Sequence, residues 1–286
     1  MKKIGFIDYY LDEWHANHYP LWIRSSTRSQ DFDVAYAFAA IDKPDGMDTK
    51  TWCEKYGVQA MESIESLVEA SDCLVILSPD HPEQHEALAQ VPLRSGKPTY
   101  IDKTFAPDFA TAKRLFDLAH ANKTPMYSTS ALRYARELVS WIEEHGLNQP
   151  DVSFMSVRGP GVFENYGVHQ LEMIVRGMGV GATKALATGS RDAPVIIYTY
   201  QDHRCCLINH LPWSDFSLAI QDAHQNGMAC DVKEDFWMPF MEELLGFFDS
   251  GLPPVPQSET LSVMAMLDAG KRALSHPCQW VEVPFN

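Results

Sequence analysis

Short apolar runs and amphipathic stretches take turns along the first half of the chain. Lys3 to Ile7, Val34 to Ala40, Cys73 to Leu77 and Thr99 to Ile101 are apolar runs of strand length. The run Cys73-Leu74-Val75-Ile76-Leu77 shows no alternation, which suits a strand covered on both faces of a parallel sheet. Trp14 to Arg24, Ser63 to Ala70, Glu83 to Leu93 and Phe109 to Asn122 read as helices. In the last of them Ala112, Leu115, Phe116 and Ala119 share one face. Pro20 is expected to kink the first helix or limit its start. This order predicts a doubly wound parallel sheet.

The pattern changes after about residue 125. Leu132 to His145 reads as a helix stopped by Gly146, Val152 to Val157 as a strand and His169 to Arg176 as a helix. Three strand-like runs follow with little helix between them: Lys184 to Thr188, Val195 to Tyr200 and Cys205 to Leu211. That grouping predicts a largely antiparallel sheet. Phe236 to Phe248 is an apolar helix, Gly251 to Pro256 a stiff connection, Glu259 to Ser275 a helix and Trp280 to Val283 a strand. The chain therefore reads as α/β in two domains, a Rossmann-type parallel domain over residues 1–125 and an α/β domain over 126–286.

Charge and cysteine content narrow the partners. The formal net charge of the 286 residues is -15, with no Lys/Arg run, which excludes nucleic acid as an expected partner. No apolar run reaches bilayer length, and Asp8, Asp12 and Glu13 closely follow the first apolar run, so the start reads as that of a cytoplasmic chain, not a leader. The six cysteines form no C-x-x-C pair, so no metal site is expected and the thiols read as reduced. Cys205 and Cys206 would point to opposite faces of their strand.

Four stretches carry chemistry. Leu77-Ser78-Pro79-Asp80-His81 follows the third of the longer apolar runs, and Gly96 to Thr104 contains Ile101-Asp102-Lys103-Thr104. Asn165-Tyr166-Gly167-Val168-His169-Gln170-Leu171-Glu172 comes next, and the run from Phe236 to the last strand completes the set. In this order they resemble the Gfo/Idh/MocA family of glucose-fructose oxidoreductase and inositol dehydrogenase, over essentially the whole chain. The resemblance implies NAD or NADP as cofactor and hydride transfer to or from a hydroxyl of a sugar, cyclitol or related small molecule. It implies catalytic roles for Lys103, His169 and Asn165, with His169 as acid/base and Lys103 as the ammonium that steadies an alkoxide. Ser78, Pro79, Asp80, His81, Asp102 and Asp42 are implied at the cofactor, Asp42 being the nearest candidate for an adenosine ribose. Arg133 and Glu172 are implied at the substrate. A homodimer or homotetramer formed through the C-terminal sheet is also implied. Read without the resemblance, Lys103 equally suits a solvated lysine, His169 a polar residue near a helix start, and Arg133 a partner for one of the many carboxylates.

Departures from the family pattern keep a second reading open. A dinucleotide-binding first loop carries G-x-G-x-x-G, because glycines admit the pyrophosphate to the helix N-terminus. Here Asp8, Tyr10 and Glu13 stand in the three glycine places. Carboxylates there repel a pyrophosphate. Asn165 stands where the family carries an aspartate, and an amide is no base. The glycine-rich Gly177 to Lys184 follows a helix and precedes a strand, the reverse of a phosphate cradle, and reads as a helix stop. The alternative is a non-redox member that has lost the dinucleotide and binds or senses a small molecule.

Overall fold

The computed structural model describes residues 1–284. The chain forms two compact units: residues 1–129 with 238–256, and residues 130–237 with 257–284.

The first unit contains strands β1 (Lys2–Asp8), β2 (Phe32–Ala39), β3 (Gln59–Ala60), β4 (Cys73–Ile76), β5 (Thr99–Ile101) and β6 (Met126–Tyr127). Their order in the sheet is β3-β2-β1-β4-β5-β6, and every pairing is parallel. This is the doubly wound arrangement, with its switch point between β1 and β4. All four residues of β4 are buried, as a strand covered on both faces requires. Helices α1 (Trp14–Ser25), α2 (Thr49–Tyr56), α3 (Ile64–Ala70), α4 (His85–Leu88) and α5 (Phe109–Ala121) connect the strands. Helix α1 runs through Pro20. The helix expected over Glu83 to Leu93 is a single α turn between two 3-10 turns, at Pro82–Gln84 and Pro92–Arg94. Pro92 has no N–H to donate and sets the residue before it against further helix. Helix α2, with Asp48 as its N-cap and Gly57 left-handed after its end, was not foreseen.

Gly5 shows why one strand position tolerates no side chain. A Cβ there would lie 2.3 Å from Ser71 Oγ and 2.5 Å from Leu67 Cδ2, so the glycine lets the end of α3 lie directly on β1.

The chain returns to this unit with α8 (Trp237–Ser250), which a single cut at residue 125 does not describe. Apolar contact explains the return. Phe240 packs against Tyr19 and Tyr100 at ring separations of 5.9 and 5.6 Å, and Phe247 packs edge-on to Tyr127 at 4.8 Å. Glu242 accepts from the backbone and hydroxyl of Thr27, at 2.7 Å each.

The second unit opens with a 3-10 turn at Ala131–Tyr134 and α6 (Arg136–Glu144), where one continuous helix was expected. Its sheet contains β7 (Val152–Gly159), β8 (Ala182–Ser190), β9 (Ala193–Tyr200), β10 (Cys205–His210), β11 (Ser217–Asp222), β12 (Gly227–Asp231) and β13 (Trp280–Glu282). The order is β12-β11-β7-β10-β9-β8-β13. Among the described residues of this sheet only the β7–β10 pairing is parallel. Helices α7 (Phe163–Met178) and α9 (Gln257–Ser275) complete the unit. Alternate residues of β9 and β10 are buried, Cys206 among them, while Cys205 takes the other face. Tyr198 on the buried face donates to the carbonyl of Met266 in α9 at 2.9 Å. The hairpin β11–β12 was missed, although Asn226-Gly227 is a turn signal at its join.

A Gly5→Ala substitution is expected to destabilise the folded chain by about 1–3 kcal/mol, because the added methyl overpacks the β1–α3 contact. Urea denaturation measures this; an unchanged midpoint would show that α3 moves away at no cost.

Candidate functional site

In an open parallel sheet, ligands collect at the carboxyl ends of the strands beside the switch point. Three loops of the first unit meet at that edge, after β1, β4 and β5. The loop after β1 runs from Tyr9 to Glu13. Asp8, at the end of β1, is only 1% exposed. Its Oδ1 accepts from the hydroxyl of Ser78 at 2.7 Å and from the N–H of Tyr9 at 2.6 Å, while Oδ2 has no partner. Burial pushes the Asp8 carboxyl up to about 8, against the pull of those two donors, and the charge of Asp102 adds to the rise. Glu13 is the N-cap of α1. Its carboxylate accepts from the backbone N–H of His15 at 2.7 Å and from that of Ala16. Burial, then the neighbouring Asp8, raises Glu13 well above the ordinary carboxylate range.

The loop after β4 carries Ser78, Pro79, Asp80 and His81. Ser78 holds a left-handed backbone, φ 73°, and its hydroxyl also accepts from Tyr9 N–H at 2.9 Å. The His81 ring lies tilted to Tyr9 at 5.1 Å and edge-on to Tyr10 at 5.4 Å, meets the Tyr10 hydroxyl at 3.1 Å and faces Glu83 at 3.0 Å. Pro79 is buried and Asp80 exposed. These two loops are therefore one aromatic and carboxylate cluster. Asp42 is exposed, three positions past the end of β2, where it accepts from Thr49 N–H and hydroxyl at 2.8 and 2.7 Å.

Asp102 and Lys103 follow β5. Asp102 is fully buried, and His15 Nδ1 donates to its Oδ2. The hydroxyls of Tyr19 and Tyr100 stand 3.4 and 3.1 Å from its Oδ1, and the N–H of Lys103 donates to the same oxygen at 2.8 Å. Burial alone would raise this carboxyl. The pairing with His15, the charge of Lys103 and the backbone donor outweigh it and hold Asp102 below its ordinary value. The Lys103–Thr104 peptide is cis. The Lys103 side chain is half-buried, and its ammonium group makes no hydrogen bond or ion pair among the described residues.

In the second unit Asn165, His169 and Glu172 share one face of α7, at spacings of four and three residues. Asn165 is exposed. His169 is 8% exposed, and its Nδ1 lies 2.6 Å from Ser130 Oγ. Helix α7 starts six residues before His169, earlier than expected. Its N-cap is Val162, which offers no side-chain oxygen and so leaves no polar start signal in the sequence. Arg133 is 5% exposed; its guanidinium pairs with Glu259 and, at 3.4 Å, with Glu172. Gln149 donates to the other oxygen of Glu259 at 3.0 Å. Arg133 and Glu172, implied at a substrate, thus meet each other in a buried ion-pair network.

Glu13 as a cap, His15 beside Asp102 and Glu259 beside Arg133 escaped the sequence reading. Residue pairs 87 and 126 positions apart leave no local signal.

Residues 15–129 match the model of an oxidoreductase family with an NAD-binding Rossmann fold, Gfo/Idh/MocA. Solved structures of similar fold span nearly the whole length of the chain. A probable dehydrogenase from Thermotoga maritima has a TM-score of 0.80 at 15% identity, covering 98% of each chain. An oxidoreductase from Agrobacterium radiobacter, in complex with NAD+, L-tartaric acid and magnesium, has a TM-score of 0.77 at 12% identity, covering 99% of this chain and 98% of that one. UDP-N-acetylglucosamine 3-dehydrogenase from Acidithiobacillus ferrooxidans has a TM-score of 0.72 at 14% identity, covering 96% and 99%. At these identities the likeness establishes the fold. No curated protein matches the chain.

Against that family, the loop after β1 is the discordant part. A dinucleotide held in the usual Rossmann pose sets its pyrophosphate on the first amides of the helix after β1. In this protein the amides of His15 and Ala16 already donate to Glu13. The residues present do not fit a pyrophosphate at that place. Among the described residues no group of three or more His, Cys, Asp or Glu side chains could hold a metal ion, and no helix is long and apolar enough to cross a membrane.

Two outcomes follow from these charges. Asp8 keeps its proton in the folded chain up to about pH 8, whereas the unfolded chain releases it near the ordinary carboxylate value of about 4. Its contribution to stability is complete below about pH 4 and is lost as the pH rises towards about 8. Asp8→Asn is therefore expected to stabilise the fold at about pH 8 and to flatten the fall in stability between about pH 5 and 8 in urea titrations. An unaltered pH profile would show that Asp8 is ionised in the folded chain. Arg133→Met removes the guanidinium that two buried carboxylates share and is expected to cost about 3–5 kcal/mol in the same measurement. A cost within experimental error would place the pair in solvent.

Proposed function

We propose that this protein is an oxidoreductase of CH–OH groups that transfers hydride between NAD or NADP and a sugar, polyol or related small molecule. The observation that carries the reading is Lys103, a half-buried ammonium group with no counter-charge bonded to it among the described residues, at the carboxyl edge of a Rossmann sheet. An alcohol losing hydride also loses its hydroxyl proton, and a fixed ammonium group steadies the charge that grows on that oxygen. Asp102, ionised and held by four donors, anchors the backbone from which the lysine extends. His169 is assigned the acid/base role, with Ser130 orienting its ring. Asn165, exposed one turn before it, offers an amide that can hydrogen-bond a substrate hydroxyl. The substrate class agrees with the names of the similar proteins, one a nucleotide-sugar dehydrogenase and one bound to NAD+ and a hydroxy acid.

The outward face of the second unit's sheet carries Val195, Leu207 and Ala219 beside Arg158 and Asp231 around an open cavity. That face supports assembly of two copies through the sheet.

The test is turnover of NAD+ or NADP+ with a panel of polyols and sugars, read by the fluorescence of the reduced nicotinamide. Lys103→Ala is expected to lower turnover about 100-fold or more with an unchanged melting temperature. Equal losses of turnover and stability would make the lysine structural, and no reduction of either dinucleotide would remove the reading.

A further inference from the structure

The anion seat at the start of α1 is filled from within the chain. Glu13 does what a pyrophosphate does elsewhere: it lies at the positive end of a 12-residue helix and accepts from the first free amides. The Glu13 side chain is buried, 7% exposed, so the carboxylate is a packed part of the loop. The surrounding loop is built around it. Leu11 is 2% exposed, and Asp12 accepts from Asn17 Nδ2 and from Met47 N–H, both at 3.0 Å. Lys43 donates to the carbonyl of Asp12 and lies over the ring of Tyr10 at 5.6 Å, so it is engaged by the loop. Asp8, a second buried acid, stands at the end of β1 where the backbone of a dinucleotide fold approaches the phosphates.

We infer that Glu13 is an internal substitute for the pyrophosphate, so that a dinucleotide entering this unit must displace its carboxylate or bind without the α1 amides. This inference rests on the oxidoreductase reading for its ligand, and on this chain's own geometry for its mechanism. Two energetic effects act together. The helix start gains nothing from an incoming phosphate until Glu13 leaves, because its donors are already satisfied. The displaced carboxylate then faces two phosphate charges at short range. The affinity for a dinucleotide, or for pyrophosphate itself, is thereby set by residue 13.

The experiment uses the full chain and two probes, inorganic pyrophosphate by calorimetry and NADH or NADPH by nicotinamide fluorescence. Glu13→Ser keeps a side-chain oxygen to cap α1 while removing the carboxyl group and freeing one amide; Glu13→Gly removes the cap as well. Both variants are expected to bind pyrophosphate and dinucleotide about tenfold or more tightly than the unaltered protein. Equal affinity in Glu13→Ser and the unaltered chain overturns the inference, as does failure of both to bind pyrophosphate at millimolar concentration. Tighter pyrophosphate binding by the variant, with no nicotinamide turnover by any form, upholds the inference and removes the oxidoreductase reading instead. Circular dichroism of Glu13→Ser confirms that α1 is retained, and the difference between Glu13→Gly and Glu13→Ser then reports on the cap.

Discussion

The N-terminus of α1 needs an acceptor, and what supplies it decides how the first unit can be used. A helix start presents amides that no residue of the helix can satisfy, together with a positive dipole end. In a nucleotide-binding Rossmann unit that requirement is met by the ligand. Here Glu13 meets it, so the loop after β1 is complete without a phosphate. Once a carboxylate is packed there, its neighbours are constrained in turn. Asp8 must be largely protonated to stay buried beside it, and Ser78 adopts a left-handed backbone that brings its hydroxyl onto Asp8.

The same edge of the sheet keeps a different electrostatic arrangement two strands away. Asp102 is ionised at zero exposure because His15, two tyrosine hydroxyls and a backbone amide surround it. Buried acids at one edge of the sheet thus sit on opposite sides of neutrality. Asp8 has a hydroxyl, one amide and an unpartnered oxygen, whereas Asp102 has a histidine and the charge of Lys103. Environment rather than residue type sets the charge. His15 belongs to both halves of this arrangement: its amide serves Glu13, and its ring serves Asp102.

The second unit follows ordinary layering of helices on a mixed sheet, with its charges placed for cohesion. Arg133, Glu172, Glu259 and Gln149 tie the segment before α6 to α7 and α9. Such a network is costly to break from one side, since it leaves charge buried and unpaired. His169 and Asn165 lie on the same face of α7 as Glu172, nearer its start, so the helix passes from candidate chemistry to structural ion pairing within two turns.

Periodicity in the sequence determined the alternation of strand and helix in the first unit and the antiparallel character of the second, because both rest on local apolar spacing, and short motifs carried the resemblance to an oxidoreductase family. The lost glycines of the first loop were equally legible, and so was the warning that a pyrophosphate would be repelled. Tertiary structure alone decided where those acids point. That Glu13 turns back onto its own helix, that α8 returns to the first unit through Phe240 and Phe247, and that His15 meets Asp102 are outcomes of packing between distant segments. A one-dimensional pattern records which residues are apolar or charged; only the folded chain sets the partners that decide whether a buried charge is kept, neutralised or used.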